Sequence, residues 1–195
     1  MYDSLRDVVC GHRSATDITR QWQTNDDIAD HMLYFLENHD EQRIASDFFA
    51  GDARKGIPAL MTSALMRTNP FMLYAGQEYG ERGMDEEGFS GRDGRTTIFD
   101  YWSVDSLIHG YSSRTQLTQK DKSIEATYKK VLTIATNEKT ANEGKFFHPM
   151  DVDQTSSAFN ENRKSVIYTT NEDDSVTATP NFIPHNDCYR KNINT

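Results

Sequence analysis

The apolar positions of this 195-residue chain alternate between a helical period and unbroken runs. Leu5, Val8 and Val9 are spaced as on one helix face. Residues 16–30 read as a polar helix with Ile18, Trp22 and Ile28 facing inward. Residues 31–38, HMLYFLEN, carry a continuous apolar core, which suits a strand buried on both faces of a parallel sheet. Ile57, Leu60, Met61, Ala64, Leu65 and Thr68 then fall at i, i+3, i+4, i+7, i+8 and i+11, the stripe of an amphipathic helix. Pro58 fits its first turn, where the missing N–H does no harm. Asn69-Pro70 ends it, because the residue before a proline is pushed out of the α region. A second apolar run, 71–78, follows at once. Strand, helix and strand with short connections make a βαβ unit, whose parallel strands are adjacent or nearly so.

Residues 79–115 break the pattern with glycine and charge and read as a long loop. Phe99, Tyr101 and Trp102 indicate that this loop packs against something. Residues 120–138 return to helical spacing through Ile124, Tyr128, Val131, Leu132 and Ala135. From about residue 144 the chain shows short β-like pieces, KFFHPM, SVIYTT and SVTATP, and the last stretch is expected to fray. There is no internal repeat.

Composition narrows the function classes. Hydrophobic residues make up 36% and aromatic residues 11%, enough for a core. The net charge of -9 repels phosphate backbones and anionic membrane surfaces, while a neutral sugar stays compatible. No apolar run approaches the roughly 18 residues that cross a bilayer. The start, MYDSLRDVVCGHR, lacks the basic and apolar regions of a signal peptide and reads as an entry in mid-protein. Cys10 and Cys188 are read as free thiols in preference to one long-range disulfide.

Both apolar runs end in polar clusters, Asn38-His39-Asp40 on the first and Gln77-Glu78 on the second. In α/β sheets ligands bind at the carboxyl ends of the strands. The plainer alternative is that Asp40 caps the next loop and His39 is a satisfied, partly buried histidine. Glu78 reads as structural, and Tyr101 and Trp102 as packing residues before sugar platforms. Asp85, Glu86, Glu87 and Asp93 form a solvated charge run in preference to a calcium site, and the histidines have no metal-ligand spacing. Residues 38–41 cannot jointly hold one metal ion from a strand, because neighbours point to opposite faces.

FLENHDEQR, followed some thirty residues on by NPFMLYAGQEYG, resembles the seventh and eighth strands of the α-amylase family, glycoside hydrolase family 13. Pro70, Tyr74, Gly76 and Glu78 resemble the strand-eight motif, with Thr68 where the family often has glycine. The resemblance covers roughly residues 2–150. It implies an α/β fold, a partial (β/α)8 TIM barrel with the seventh and eighth βα units over 1–140. A small β-rich C-terminal segment would follow over 141–195. It implies that Asp40 stabilises the transition state, that His39 hydrogen-bonds the sugar, and that Asn38 and Arg43 complete the substrate-binding set by orienting them. The implied substrates are α-glucans, starch and maltooligosaccharides. A retaining glycosidase also needs a nucleophile and an acid/base, which the family carries on earlier strands. The isolated chain is therefore expected to be inactive, completed by a missing N-terminal barrel half or by self-association. The alternative is a catalytically inactive amylase-like remnant that binds carbohydrate or serves a structural role. No cofactor is implied for this chain, and calcium only for a longer relative.

Overall fold

The computed structural model describes residues 1–66, 68–85, 92–99 and 104–143, and the strand segments 145–147, 167–170 and 175–178. Helix α1 (Tyr2–Val9) buries Leu5, Val8 and Val9, the face its spacing predicts. It packs on α2 (Thr16–Thr24) and α3 (Ile57–Leu65). Helix α2 is shorter than the expected 16–30. It buries Ile18 and half-buries Trp22, but stops at Thr24, and Ile28 is 51% exposed. The run TNDD (residues 24–27) explains the stop, since Asn and Asp side chains compete with helical backbone bonding.

Strands β1 (Tyr34–Phe35) and β2 (Phe71–Met72) pair in parallel, with Tyr34 opposite Phe71 and Phe35 opposite Met72. The backbone N–H of Tyr34 also donates to the Pro70 carbonyl at 2.9 Å. The expected strands 31–38 and 71–78 are thus reduced to two residues each. Their polar ends leave the ladder, and Gln77–Tyr79 forms a 3-10 turn instead.

Between the strands, α3 carries Pro58 in its first turn as its sequence predicts. The predicted stripe is too narrow a description of it. Ala59, Thr62 and Ser63 are buried along with Leu60, Ala64 and Leu65, because α3 lies against α1, β1 and α5 together. Helix α5 (Gln119–Asn137) closes this side with Ile124, Tyr128 and Val131, three of its predicted inward positions. It starts at a reciprocal cap. Thr118 Oγ1 accepts from the Asp121 N–H, and the Asp121 carboxylate accepts from the Thr118 N–H.

The stretch 79–115 is not all loop. It contains α4 (Asp105–Tyr111), whose Gly110 lies under the Tyr79 ring. A Cβ at Gly110 would run into that ring, so the close packing needs glycine there. Phe99, expected to pack, is 63% exposed. Tyr101, Trp102 and the expected fraying tail lie outside the described residues. After α6 (Lys139–Glu143), strands β3 (Lys145–Phe147), β4 (Ile167–Thr170) and β5 (Ser175–Ala178) form an antiparallel sheet in that order. Cys10 is disulfide-bonded and not a free thiol; the other cysteine of the chain, Cys188, lies outside the described residues. Among the described residues no helix is long and apolar enough to cross a membrane.

One surface contact ties the approach to α3 to α5. Asp52 Oδ1 accepts from the Arg54 N–H at 2.9 Å, its carboxylate is gripped by the Arg54 guanidinium, and Lys120 stands 3.4 Å away. The Arg54 hydrogen bond foremost holds the Asp52 carboxyl well below its ordinary 3.8. A depressed carboxylate stabilises the fold above its unfolded value and loses that contribution as pH falls through the folded one. Asp52→Ala is therefore expected to cost about 1 kcal/mol at neutral pH. In urea melts the gap between variant and parent should shrink steadily below about pH 4; a gap independent of pH would show that the charge does not matter.

Candidate active site

Beyond Phe35 the chain leaves the sheet and makes a tight tip. Leu36 and Glu37 are buried, Asn38 and His39 are half-buried, and the Asp40 side chain is 76% exposed. The tip is shaped by Asn38. Its Oδ1 accepts from the N–H of Asp40 at 2.8 Å and of Glu41 at 2.9 Å. That is the local turn an asparagine side chain makes well, and it explains why the strand ends here. His39 Nε2 lies 3.4 Å from Asp40 Oδ2. The two side chains form an imidazole–carboxylate pair presented to solvent.

The flanks of the tip are held from inside. Arg43 is 1% exposed. Its Nη1 donates to Glu37 Oε2 at 2.8 Å, Nη2 to the Ala75 carbonyl at 2.8 Å, and Nε to Thr96 Oγ1 at 3.1 Å. The guanidinium lies over the Tyr74 ring, 4.2 Å from its centroid. The other Glu37 oxygen accepts from the Ile44 N–H at 2.8 Å. Burial pushes the Glu37 carboxyl upward, and Arg43 pulls it back down. A second arginine holds the next residues. Arg6 of α1 donates to Gln42 Oε1 at 2.5 Å and to the Phe48 carbonyl at 3.1 Å, and stacks on Phe49. Tyr2 donates its hydroxyl to Glu41 at 2.9 Å. Burial chiefly raises the Tyr2 phenol above its ordinary value, which keeps it protonated as that donor.

The second polar cluster serves its own turn. Gly76 adopts φ +91°, a conformation that favours glycine. Its N–H donates to Glu78 at 3.1 Å, and the other Glu78 oxygen accepts from Tyr111. Gln77 reaches inward to Tyr128 at 2.9 Å. Further on, the chain crosses itself at Gly83 and Gly94, where a Cβ on Gly83 would meet Gly94 backbone at 2.7 Å. The Gly94 carbonyl then accepts from the Arg43 N–H at 2.6 Å, and the Asp93 carbonyl from Gln42 Nε2 at 3.3 Å. The segment 93–96 is therefore docked against the base of the tip.

The structure leaves Asn38, His39 and Asp40 at the surface and buries Arg43 against Glu37, Ala75, Thr96 and Tyr74. His39 and Asp40 face outward; Asn38 shapes the backbone; Arg43 is turned away from solvent and touches the protein on every side. A cavity of about 300 Å³ adjoins the tip through Glu41 and is lined by Tyr2, Asp3 and Met32–Phe35 among others, but not by His39 or Asp40. Sequence reasoning missed Glu37, Thr96 and Arg6. The one available signal was that Glu37 and Arg43, residues of opposite charge, bracket the polar run 38–42 that contains the Asn-His-Asp cluster.

A family model described as the alpha amylase catalytic domain matches residues 7–195. The chain belongs to the α-amylase catalytic-domain family. That membership carries a TIM-barrel fold and glycoside hydrolase chemistry on a carbohydrate. No curated protein and no solved structure matched the chain. For an α-amylase domain the arrangement is chemically apt. A carboxylate and an imidazole face outward on a tip whose flanks cannot drift.

Breaking the hub should be far worse than removing it. Arg43→Met leaves the buried Glu37 without its charge partner, holding only the Ile44 N–H, and a cost of roughly 3–5 kcal/mol is expected. Adding Glu37→Leu removes the stranded charge and should return most of that loss. Urea denaturation of the two variants decides it: equal stabilities would mean that Glu37 is not the stranded partner.

Proposed function

We propose that this chain supplies part of the active site of an α-amylase-type glycoside hydrolase acting on α-glucans such as starch and maltooligosaccharides. Asp40 is the carboxylate that stabilises the transition state, and His39 hydrogen-bonds the sugar in the same subsite. Asn38 and Arg43 orient them. The observation that carries the reading is the exposed His39–Asp40 pair on a tip whose neighbours on both sides are buried and bonded. Cleavage of a glycosidic bond passes through an oxocarbenium-like state with positive charge on the ring. A fixed carboxylate gains attraction as that charge develops, and hydrogen bonds to ring hydroxyls strengthen with it. Fixation is the essential part, because a donor or charge that must first be ordered gives back what it gains.

Asp40 alone does not cleave. The reaction needs a nucleophile and an acid/base on opposite sides of the bond, and neither role is assigned here. Residues 1–140 fit the seventh and eighth βα units of the barrel. In support, β1 and β2 pair with each other and have no other strand partner among the described residues, whereas barrel strands pair on both edges. The outer edges are where a complementary barrel half, or a second copy, would add.

The test has two arms. The purified chain is expected to bind maltotetraose weakly and to release no reducing sugar from it. Asp40→Asn and His39→Ala should each weaken binding about 3- to 30-fold, the value of one or two hydrogen bonds in a wet site. Hydrolysis by the chain that Asp40→Asn abolishes would overturn the claim of inactivity. Binding indifferent to both substitutions would remove the site assignment.

A further inference from the structure

The geometry points to Thr96 as a positioning residue of the catalytic tip, acting through Arg43 and Glu37. This rests on the assignment of Asp40 above and adds to it a part that the Asn-His-Asp cluster does not contain. Glu37 and Arg43 are the residues immediately before and after the five-residue tip 38–42. Their ion pair at 2.8 Å closes the tip at its base like a staple. A staple of that kind is only as fixed as its guanidinium. Arg43 has five N–H donors in a rigid plane, and Glu37 takes one of them. Thr96 Oγ1 accepts from two, Nε at 3.1 Å and Nη2 at 2.5 Å. The Thr96 hydroxyl thus holds the Nε edge of the plane and shares Nη2 with the Ala75 carbonyl at 2.8 Å, so that the plane is held on the sides Glu37 does not reach.

Thr96 is itself held. It is 1% exposed, and its carbonyl accepts from the Tyr74 hydroxyl at 3.3 Å, from the same tyrosine whose ring lies under the guanidinium. The backbone adds a parallel connection, since Gly94 accepts from the Arg43 N–H and Asp93 from Gln42. The segment after β2 therefore sets the geometry of the tip after β1. Nothing in it needs to touch the sugar. A family motif read residue by residue would pass over it, because Thr96 lies 53 positions from the arginine it fixes.

The experiment uses the full chain and two readouts. Amide hydrogen exchange of Asp40 and Glu41 reports the tip directly, since both donate to Asn38 Oδ1. Maltotetraose affinity, measured well below the melting temperature, reports its consequence. Thr96→Val keeps the shape and removes the acceptor. It is expected to lower protection at both amides about tenfold and to weaken maltotetraose binding by a similar factor. Thr96→Ser, which keeps the hydroxyl, should restore both. A merely structural threonine would lower the melting temperature of the valine variant and leave both readouts unchanged in the folded protein; that result overturns the proposal. If Thr96→Val does not fold, Tyr74→Phe keeps the ring and removes the hydroxyl that holds Thr96, and it should lower protection about 2- to 4-fold; no change there overturns it equally. If the parent chain does not bind maltotetraose, the reading of Asp40 fails by itself, and exchange at Asp40 and Glu41 still decides whether Thr96 holds the tip.

Discussion

The buried ion pair between Glu37 and Arg43 is the constraint on which the rest of the tip depends. Two charges with side chains 2% exposed are costly to remove from water. The cost is tolerable only if the remaining lone pairs and protons are used. Here most of them are: Glu37 takes Arg43 on one oxygen and the Ile44 N–H on the other, while Arg43 places three further N–H donors on Ala75 and Thr96. A pair satisfied this completely has few alternative arrangements of similar energy. Because the partners sit on either side of residues 38–42, that lack of alternatives is passed to the tip.

A second consequence is a division of labour between exposed and buried groups. The Asp40 side chain is exposed and pairs with His39 at 3.4 Å. Holding the loop falls to Asn38 from within, to Arg43 from beneath and to Arg6 from α1. Arg6 is 4% exposed and joins Gln42 to the Phe48 carbonyl, so the loop is held by an arginine of α1 as well as by its own Arg43. A loop braced in this way can present polar groups at its crest without the backbone freedom that usually accompanies exposure.

What was legible in the sequence follows from what periodicity encodes. The stripes of α1, α3 and α5 announced their buried faces, because burial of one helix face repeats every 3.6 residues. The parallel pairing of β1 with β2 followed from strand, helix and strand with short joins. Strand length did not follow. Apolar character continues to Leu36, but Asn38 turns the chain by a side-chain bond that no apolar pattern shows. Helix α4 was missed because Gly110 looks like a breaker, and its tolerance depends on the Tyr79 ring packed against it. The Asn-His-Asp cluster was visible as chemistry, whereas Arg43 looked like one more polar member of it. Its burial comes from Thr96, Ala75 and Tyr74, which are distant in sequence, and a linear reading has no way to bring them in.

The exposure of Asp40 bears on how such a site could work. A carboxylate facing water acts on a neighbouring positive charge through a medium that screens most of the interaction, about 1 kcal/mol at 4 Å in bulk water. The same charge in a water-excluded cleft acts several times more strongly. Rigidity at the tip is therefore necessary for transition-state stabilisation and insufficient for it. The second requirement is a cover over Asp40, whose side chain is 76% exposed, and on the proposed role a bound sugar would supply part of it. The two requirements are separable in this chain. The Glu37–Arg43 pair and its contacts to Ala75 and Thr96 bear on the first, and the second depends on what covers Asp40 when a ligand binds. On the role proposed for Asp40, such an order would hold the carboxylate in place while leaving it weak until a ligand covers it.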